Sequence, residues 1–250
     1  MISGPCWLWR PPSGRERHAA DTCGPNFGVR PAGRTRSLGW RGLTLRAMAA
    51  RLPTLELVLV RHAQAVPGGT LGWEDADDER PLTEQGLRDA DELALELDPY
   101  HFNAAYSSPY TRSIQTVTPT AARRSMEVHL LDDLRERRLV TKPSDDWADL
   151  MVRSWAEPDF ATPGGETSRE AQLRGLRALD LLRARHADGG RLLVGSHGML
   201  ISLILQSLEP DVGHDFHQAM PNPAVFHLEH DGIGWRVMGG HGFARVEERS

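Results

Sequence analysis

Arg61 and His62 stand side by side at the end of an apolar run. The run, residues 55–60, predicts a buried strand, and open α/β sheets bind their ligands beyond the carboxyl ends of such strands. An arginine at this place can hold an anion while the neighbouring imidazole attacks it. Arg112 and His197 also follow short apolar runs, within Ser-Ser-Pro-Tyr-Thr-Arg and Gly-Ser-His-Gly. Two histidines and two arginines together suit a phosphoryl group, because each guanidinium can pair with two of its oxygens.

Strand and helix patterns alternate from residue 55 onward. We expect four strands and four helices before a closing hairpin: strands at Leu55–Arg61, 104–108, 127–131 and 191–195, helices at 83–98, 109–124, 167–186 and 199–208, and hairpin strands at Ala224–His230 and 232–238. Thr83 is the expected first N-cap, and Thr167 with Glu170 fits a capping box. This alternation predicts an α/β fold, a three-layer α/β/α sandwich around a mainly parallel sheet.

Apolar spacing places Leu87 and Leu173 on the buried faces of the first and third of these helices. Residues 135–165 show no sustained period, and we expect them to form a small irregular cap segment. Residues 1–50 show no period either, and we expect a disordered extension or one that begins at a start codon assigned too early. The main domain is then expected at residues 51–250.

The charge of the chain is divided unevenly. The formal net charge is −5, yet residues 1–53 carry nine arginines against only Glu16 and Asp21, so the remainder is strongly acidic. An acidic domain is a poor match for nucleic acid, which needs a basic face. No apolar run is long enough to span a bilayer. Cys6 and Cys23 are the only cysteines, so we expect no thiolate metal site in the domain. The scarcity of cysteine fits a reducing compartment, and we expect a cytoplasmic location.

Five motifs in one order resemble the histidine phosphatase superfamily, which includes the phosphoglycerate mutases. The motifs lie at residues 59–63, 82–86, 107–116, 165–167 and 196–198, and the resemblance covers about residues 54–240. It implies that His62 is a nucleophile that becomes phosphorylated. It also implies that Arg61, Arg112 and His197 bind the oxygens of the phosphoryl group. A neutral imidazole can attack only if an acceptor, such as a backbone carbonyl, fixes the proton on its other nitrogen.

The resemblance further implies a carboxylic acid that protonates the leaving group. Glu136 is the closest match, and Asp133 is the reserve candidate. Ser108 and Glu166 are expected to contact the substrate at the border of the pocket. No cofactor or metal is expected; His214 and His217 have metal-like spacing without a third ligand in support. The expected partner is a small phosphomonoester substrate, and a homodimer is possible.

Four activities remain open at this point. Ala63 and residues 64–67 depart from the mutase pattern of Arg-His-Gly-Glu-Ser, which favours a phosphomonoester hydrolase over a mutase. The short link from His62 to Arg80-Pro81-Leu82-Thr83 resembles the small phosphohistidine-protein phosphatases, although those usually lack a large cap. A non-catalytic phosphate-binding module is the fourth, and the intact set of arginines and histidines speaks against it.

Overall fold

The computed structural model describes residues 53–68, 77–140 and 144–243. All of them belong to the unit Ala49–Ser250. The prediction for residues 1–50 therefore lies outside the described residues. No helix among the described residues is long and apolar enough to cross a membrane.

A single six-stranded sheet forms the centre of the described chain. Its strands are β1 (Leu55–Arg61), β2 (Ala104–Ser107), β3 (Val128–Leu130), β4 (Gly190–Ser196), β5 (Ala224–His230) and β6 (Trp235–Gly240), in the spatial order β3-β2-β4-β1-β5-β6. The pairs β3·β2, β2·β4 and β4·β1 are parallel, whereas β5 and β6 close the sheet as antiparallel strands. The carboxyl ends of β1, β2 and β4 consequently meet at one edge of the sheet.

Strand β1 is buried on both faces. Leu55, Leu57 and Leu59 face one hydrophobic core, while Val58 and Val60 face a second core on the other side of the sheet. Successive side chains of a strand point to opposite faces, so an unbroken apolar run is what a central strand requires.

In the part of the chain that the structure describes, six α-helices surround the sheet: α1 (Glu84–Glu96), α2 (Thr111–Ala122), α3 (Trp147–Ala156), α4 (Ser168–Arg185), α5 (Gly198–Leu208) and α6 (His214–Ala219). Helices α1 and α2 supply the core that contains Val58, and α4 and α5 supply the core that contains Leu57. Thr83 caps α1 by accepting a hydrogen bond from the Gly86 amide, and Thr167 forms the expected capping box with Glu170. The α/β fold with helices on both faces is confirmed.

Three local predictions are wrong. Leu87 and Leu173 are 46% and 51% exposed. The buried face of α1 and that of α4 are each narrower than the apolar spacing indicates, so these two side chains lie outside the core. The cap segment, residues 135–165, is not wholly irregular, since it contains α3. In α3, Met151 and Trp155 stand four residues apart and pack against the core, which is enough to hold a short helix.

Buried polar side chains hold the cap segment together and attach it to α4. Arg137 donates hydrogen bonds to the Ser154 hydroxyl and to the Glu166 carbonyl, both at 2.9 Å. The Ser168 hydroxyl donates to the Ser154 carbonyl at 2.7 Å. Arg137 thus joins the start of the segment to α3 and to the residue before Thr167, and Ser168 joins α3 to the first residue of α4.

Candidate active site

His62 and His197 lie beside each other because their strands are neighbours in the sheet. Arg61 at the end of β1 pairs with Ser196 at the end of β4, and the His62 amide donates to the Ser196 carbonyl at 3.1 Å. The two imidazole rings lie 5.2 Å apart, centre to centre. Ser108 joins them from β2, where its amide donates to the Gly195 carbonyl at 3.0 Å.

The proton of His62 is fixed on Nδ1. This nitrogen lies 2.7 Å from the Ala63 carbonyl oxygen, which can only accept. Nε2 therefore carries the lone pair of the ring, which accepts a hydrogen bond from Arg112 Nε at 3.2 Å. Burial, and then the charge of Arg112, lowers the pKa of His62 to about 3. The imidazole is thus neutral, and its reactive nitrogen faces an arginine.

The main chain around His62 is held by two side chains, Thr116 at the end of the third motif and Asn222, which no sequence pattern singled out. The Ala63 amide donates to the Thr116 hydroxyl at 2.9 Å, and this hydroxyl in turn donates to the Arg112 carbonyl at 2.7 Å. From the opposite side, the Asn222 amide group donates to the His62 carbonyl at 3.0 Å. These bonds fix the nucleophile and the start of α2 relative to each other.

Arg112 is 1% exposed, in the first turn of α2. Its terminal nitrogens donate to the main-chain carbonyl and to the carboxylate of Asp77, the latter at 3.3 Å. Arg80 binds the other oxygen of the same carboxylate at 2.7 Å. Burial lowers the pKa of Arg112, and the Asp77 charge opposes that shift. Asp77 therefore fixes the guanidinium of Arg112 in its position beside His62.

His197 is completely buried. Its Nε2 lies 2.8 Å from the Ser108 hydroxyl, and its ring lies 4.9 Å from that of Tyr110. Burial, followed by the charge of Arg112, lowers the pKa of His197 well below the ordinary value. Among the described residues nothing forms a hydrogen bond with its Nδ1, so this nitrogen is left to form a hydrogen bond with a ligand.

Arg61 packs its guanidinium against the first residue of α5. One terminal nitrogen donates to the Met220 carbonyl, and a Cβ on Gly198 would lie only 2.9 Å from Arg61 Nε. A side chain at position 198 would therefore displace the Arg61 guanidinium from this place. Burial lowers the pKa of Arg61, and the negative charge of Glu136 opposes the shift.

The carboxylate of Glu136 lies at the N-terminus of α5. It accepts hydrogen bonds from the amides of Met199 at 3.2 Å and Leu200 at 3.1 Å. Helix N-termini favour negative charge, because their first amides have no partner within the helix. Since α5 starts directly after His197, this contact brings Glu136 to the same edge of the sheet as the two histidines.

The reserve candidate, Asp133, faces another way. Its carboxylate lies 4.0 Å from Arg177 on α4. Glu166 is also bound to α4, where Arg174 donates a hydrogen bond to each of its carboxylate oxygens at 2.8 Å. Arg135 lies 3.7 Å from the same carboxylate. The contact of Glu166 with substrate stays a prediction, as does that of Ser108.

A sequence model of the histidine phosphatase superfamily (branch 1) matches residues 57–239. This match covers most of the chain and reaches all six strands described above. The chain belongs to the histidine phosphatase superfamily. The resemblance of the five motifs is thereby confirmed; three of them lie at the ends of β1, β2 and β4, and the other two lie at the starts of α1 and α4.

Members of the superfamily with different activities are similar to this chain. Phosphoserine phosphatase 1 of Hydrogenobacter thermophilus is 29% identical over 148 residues, which are 53% of this chain and 66% of that protein, slightly less than two thirds. A 2,3-bisphosphoglycerate-dependent phosphoglycerate mutase of Cytophaga hutchinsonii is 24% identical over 176 residues, or 63% of this chain and 81% of the mutase.

A crystal structure of phosphoglycerate mutase from Bacillus anthracis has the same fold. It superposes with a TM-score of 0.61 at 20% identity and covers 75% of this chain and 92% of the mutase. These superfamily relatives are thus named as a phosphatase and as mutases, and the relationship supports an enzymatic activity for this chain.

The described residues form no cluster that could hold a metal ion. Among the described residues, no three His, Cys, Asp or Glu side chains are placed to share a metal ion, and His214 and His217 belong to no such group. The guanidinium of Arg112 lies 3.2 Å from Nε2 of His62, and the ring of His197 lies 5.2 Å from the His62 ring. Asp77 and Asn222 complete the arrangement; only their tertiary contacts identify them, since no local pattern marks them.

Proposed function

We propose that this chain hydrolyses small phosphomonoesters through a phosphohistidine at His62. One observation carries the proposal: the Nδ1 proton of His62 is bound by the Ala63 carbonyl, while Nε2 faces Arg112 at 3.2 Å. A nucleophilic imidazole needs this tautomer, because attack through Nε2 leaves a cation whose Nδ1–H is already stabilised.

In the first step, Nε2 of His62 attacks phosphorus and the bond from phosphorus to the ester oxygen breaks. The phosphoryl group takes the place between Arg112 and His62, and Arg61, Arg112 and His197 stabilise its oxygens. Phosphoryl transfer depends mainly on such positioning and charge. Glu136, in its acid form, gives its proton to the departing oxygen.

In the second step, water attacks the phosphohistidine and Glu136 takes a proton from it. The bond from phosphorus to Nε2 breaks, which returns neutral His62 and releases inorganic phosphate. The acid of the first step is thus the base of the second, and the protein is unchanged after one turnover.

Labelling tests the nucleophile directly. Enzyme mixed with ³²P-labelled phosphomonoester in EDTA and quenched in alkali is expected to retain label that acid removes, as a phosphohistidine does. His62→Ala is expected to lose both the label and turnover. His101→Ala, which removes an exposed histidine, is the matched control. Label that persists in His62→Ala would refute the proposal.

A mutase is the second candidate, because the mutase relative matches over 81% of its length. A mutase must keep its phosphohistidine from water until the substrate reorients. Conversion of 3-phosphoglycerate to 2-phosphoglycerate without release of phosphate would favour this activity over hydrolysis.

A further inference from the structure

The side-chain hydroxyl of Ser108 lies between a main-chain amide and an imidazole. Ser108 is fully buried. Among the described residues its oxygen has two partners: the Tyr110 amide donates to Oγ at 3.2 Å, and Nε2 of His197 lies 2.8 Å from Oγ. A serine hydroxyl commonly bonds to the main chain two residues away, so the amide takes up one lone pair of the oxygen. The hydroxyl proton still needs an acceptor.

The ring of His197 carries one proton. Burial, followed by the charge of Arg112, lowers the pKa of His197 well below its ordinary value, so the imidazole is neutral. In a neutral imidazole, one nitrogen is a donor and the other is an acceptor. Nε2 faces Ser108, whereas the buried Nδ1 has no hydrogen-bond partner among the described residues.

The two possible tautomers of His197 leave different numbers of buried groups unpaired. With the proton on Nε2, the ring donates to Ser108, and the hydroxyl proton of Ser108 then has no acceptor among the described residues. The lone pair of Nδ1 is unpaired as well. With the proton on Nδ1, the Ser108 hydroxyl donates to Nε2, and only the N–H at Nδ1 is unpaired. The second tautomer is more stable, because an unpaired buried donor or acceptor destabilises a protein.

We infer that Ser108 is a positioning residue whose hydroxyl donates to Nε2 of His197 and so keeps the ring proton on Nδ1, where it can bind a phosphoryl oxygen. The inference rests on the proposed function, in which His197 stabilises the oxygens of the phosphoryl group. The opposite tautomer would offer those oxygens a lone pair at Nδ1 and repel them. Ser108 thus acts on the phosphoryl group through His197.

Both histidines of the site then carry their proton on Nδ1, for opposite purposes. At His62 the Ala63 carbonyl binds the Nδ1 proton, which leaves the lone pair of Nε2 for attack. At His197 the Ser108 hydroxyl binds the lone pair of Nε2, which leaves the Nδ1 proton for the ligand. One ring is a nucleophile, and its neighbour at 5.2 Å is a neutral donor.

¹⁵N NMR of the full chain with labelled histidine tests the tautomer, because protonated and unprotonated ring nitrogens resonate in separate regions of the spectrum. The His197 signals are those absent from the spectrum of His197→Asn. At pH 7 the wild type is expected to show a protonated Nδ1 and an unprotonated Nε2. Saturating inorganic phosphate is expected to shift the resonance of the Nδ1 proton. In Ser108→Ala both nitrogens should move to intermediate positions, as the two tautomers exchange.

Turnover should follow the tautomer. Ser108→Ala is expected to lower kcat on p-nitrophenyl phosphate roughly 10-fold to 100-fold, the range for a hydrogen bond to a charged group. Ser108→Cys keeps a weaker donor at the same place and should regain part of both the rate and the Nδ1 signal. Ser113→Ala is the matched control. It removes a fully buried hydroxyl whose partner is Ser107, and its rate and spectrum should equal those of the wild type.

Four results would overturn the inference: a proton on Nε2 in the wild type, an unchanged tautomer in Ser108→Ala, an unchanged kcat in that variant, or an Nδ1 signal that phosphate does not move. The spectra do not depend on turnover. If they are as expected but the wild type hydrolyses no phosphomonoester, or if label survives in His62→Ala, the proposed function fails. The role of Ser108 in phosphate binding would then still hold.

Discussion

The phosphate end of the site and its leaving-group side are built in different ways. His62, Ser108 and His197 follow three neighbouring parallel strands, and their spacing is set by the backbone ladder of the sheet. Glu136 instead lies in the cap segment, where Arg137 donates hydrogen bonds to Ser154 and to the Glu166 carbonyl. The proposed attack on phosphorus thus depends on the most regular part of the described structure, and the proposed proton transfer to the leaving group depends on the least regular.

Glu136→Gln should separate the two regions most clearly. An alkyl phosphate has a poor leaving group that needs a proton, so its kcat should fall about 10²–10⁴-fold. p-Nitrophenol leaves without a proton, and its release should fall much less. Steady-state rates on both substrates measure the difference.

Asp133→Asn is the control for that experiment, because its carboxylate faces Arg177. It should leave both rates close to wild type. Equal losses on the two substrates in Glu136→Gln would show that Glu136 serves the phosphate end and not the leaving group. Thermal unfolding of the variant checks that the start of α5 is still capped.

Arg112→Lys should affect every substrate alike, since Arg112 belongs to the phosphate end. The loss of a fixed donor to the phosphoryl oxygens should cost about 10²–10³ in kcat, and a lysine cannot replace the planar fork. Arg123→Lys, at an exposed ion pair with Asp98, is the control. A loss that depends on the leaving group would contradict the division between the two regions.

Acid should weaken the phosphate end of the site through His62. His62 has a pKa of about 3 when folded and about 6.5 when unfolded. Between these values the unfolded chain takes up the proton, so the free energy of unfolding should fall as the pH falls from 6.5 towards 3. ¹⁵N NMR of the imidazole and denaturant titrations measure both effects. An imidazole that titrates near 6.5 in the folded protein would disprove this.

Sequence patterns predicted the phosphate end because each of its residues follows a recognisable strand. The apolar run before Arg61 marks a central strand, and parallel neighbours bring their carboxyl ends together. The same reasoning could not find Asn222, which bonds to His62 from 160 residues away, or Asp77, whose role depends on the fold of the loop before α1.

The cap segment was harder to predict for a related reason. Arg137 looks like part of a charged surface run, yet it is 5% exposed, because Ser154 and the Glu166 carbonyl satisfy it. Only tertiary partners decide whether an arginine is buried. Helix α3 was not predicted because only two of its apolar side chains, Met151 and Trp155, pack against the core, and two residues do not make a recognisable helical period.

The Thr116 hydroxyl joins the loop of His62 to the helix of Arg112. His62 and Arg112 are therefore joined to each other without any bond through the cap segment. If His62 and Glu136 act as proposed, the part of the cap segment that follows Glu136 could be exchanged for another without moving the reacting atoms. A phosphatase of altered selectivity could then be engineered by changes in that part alone.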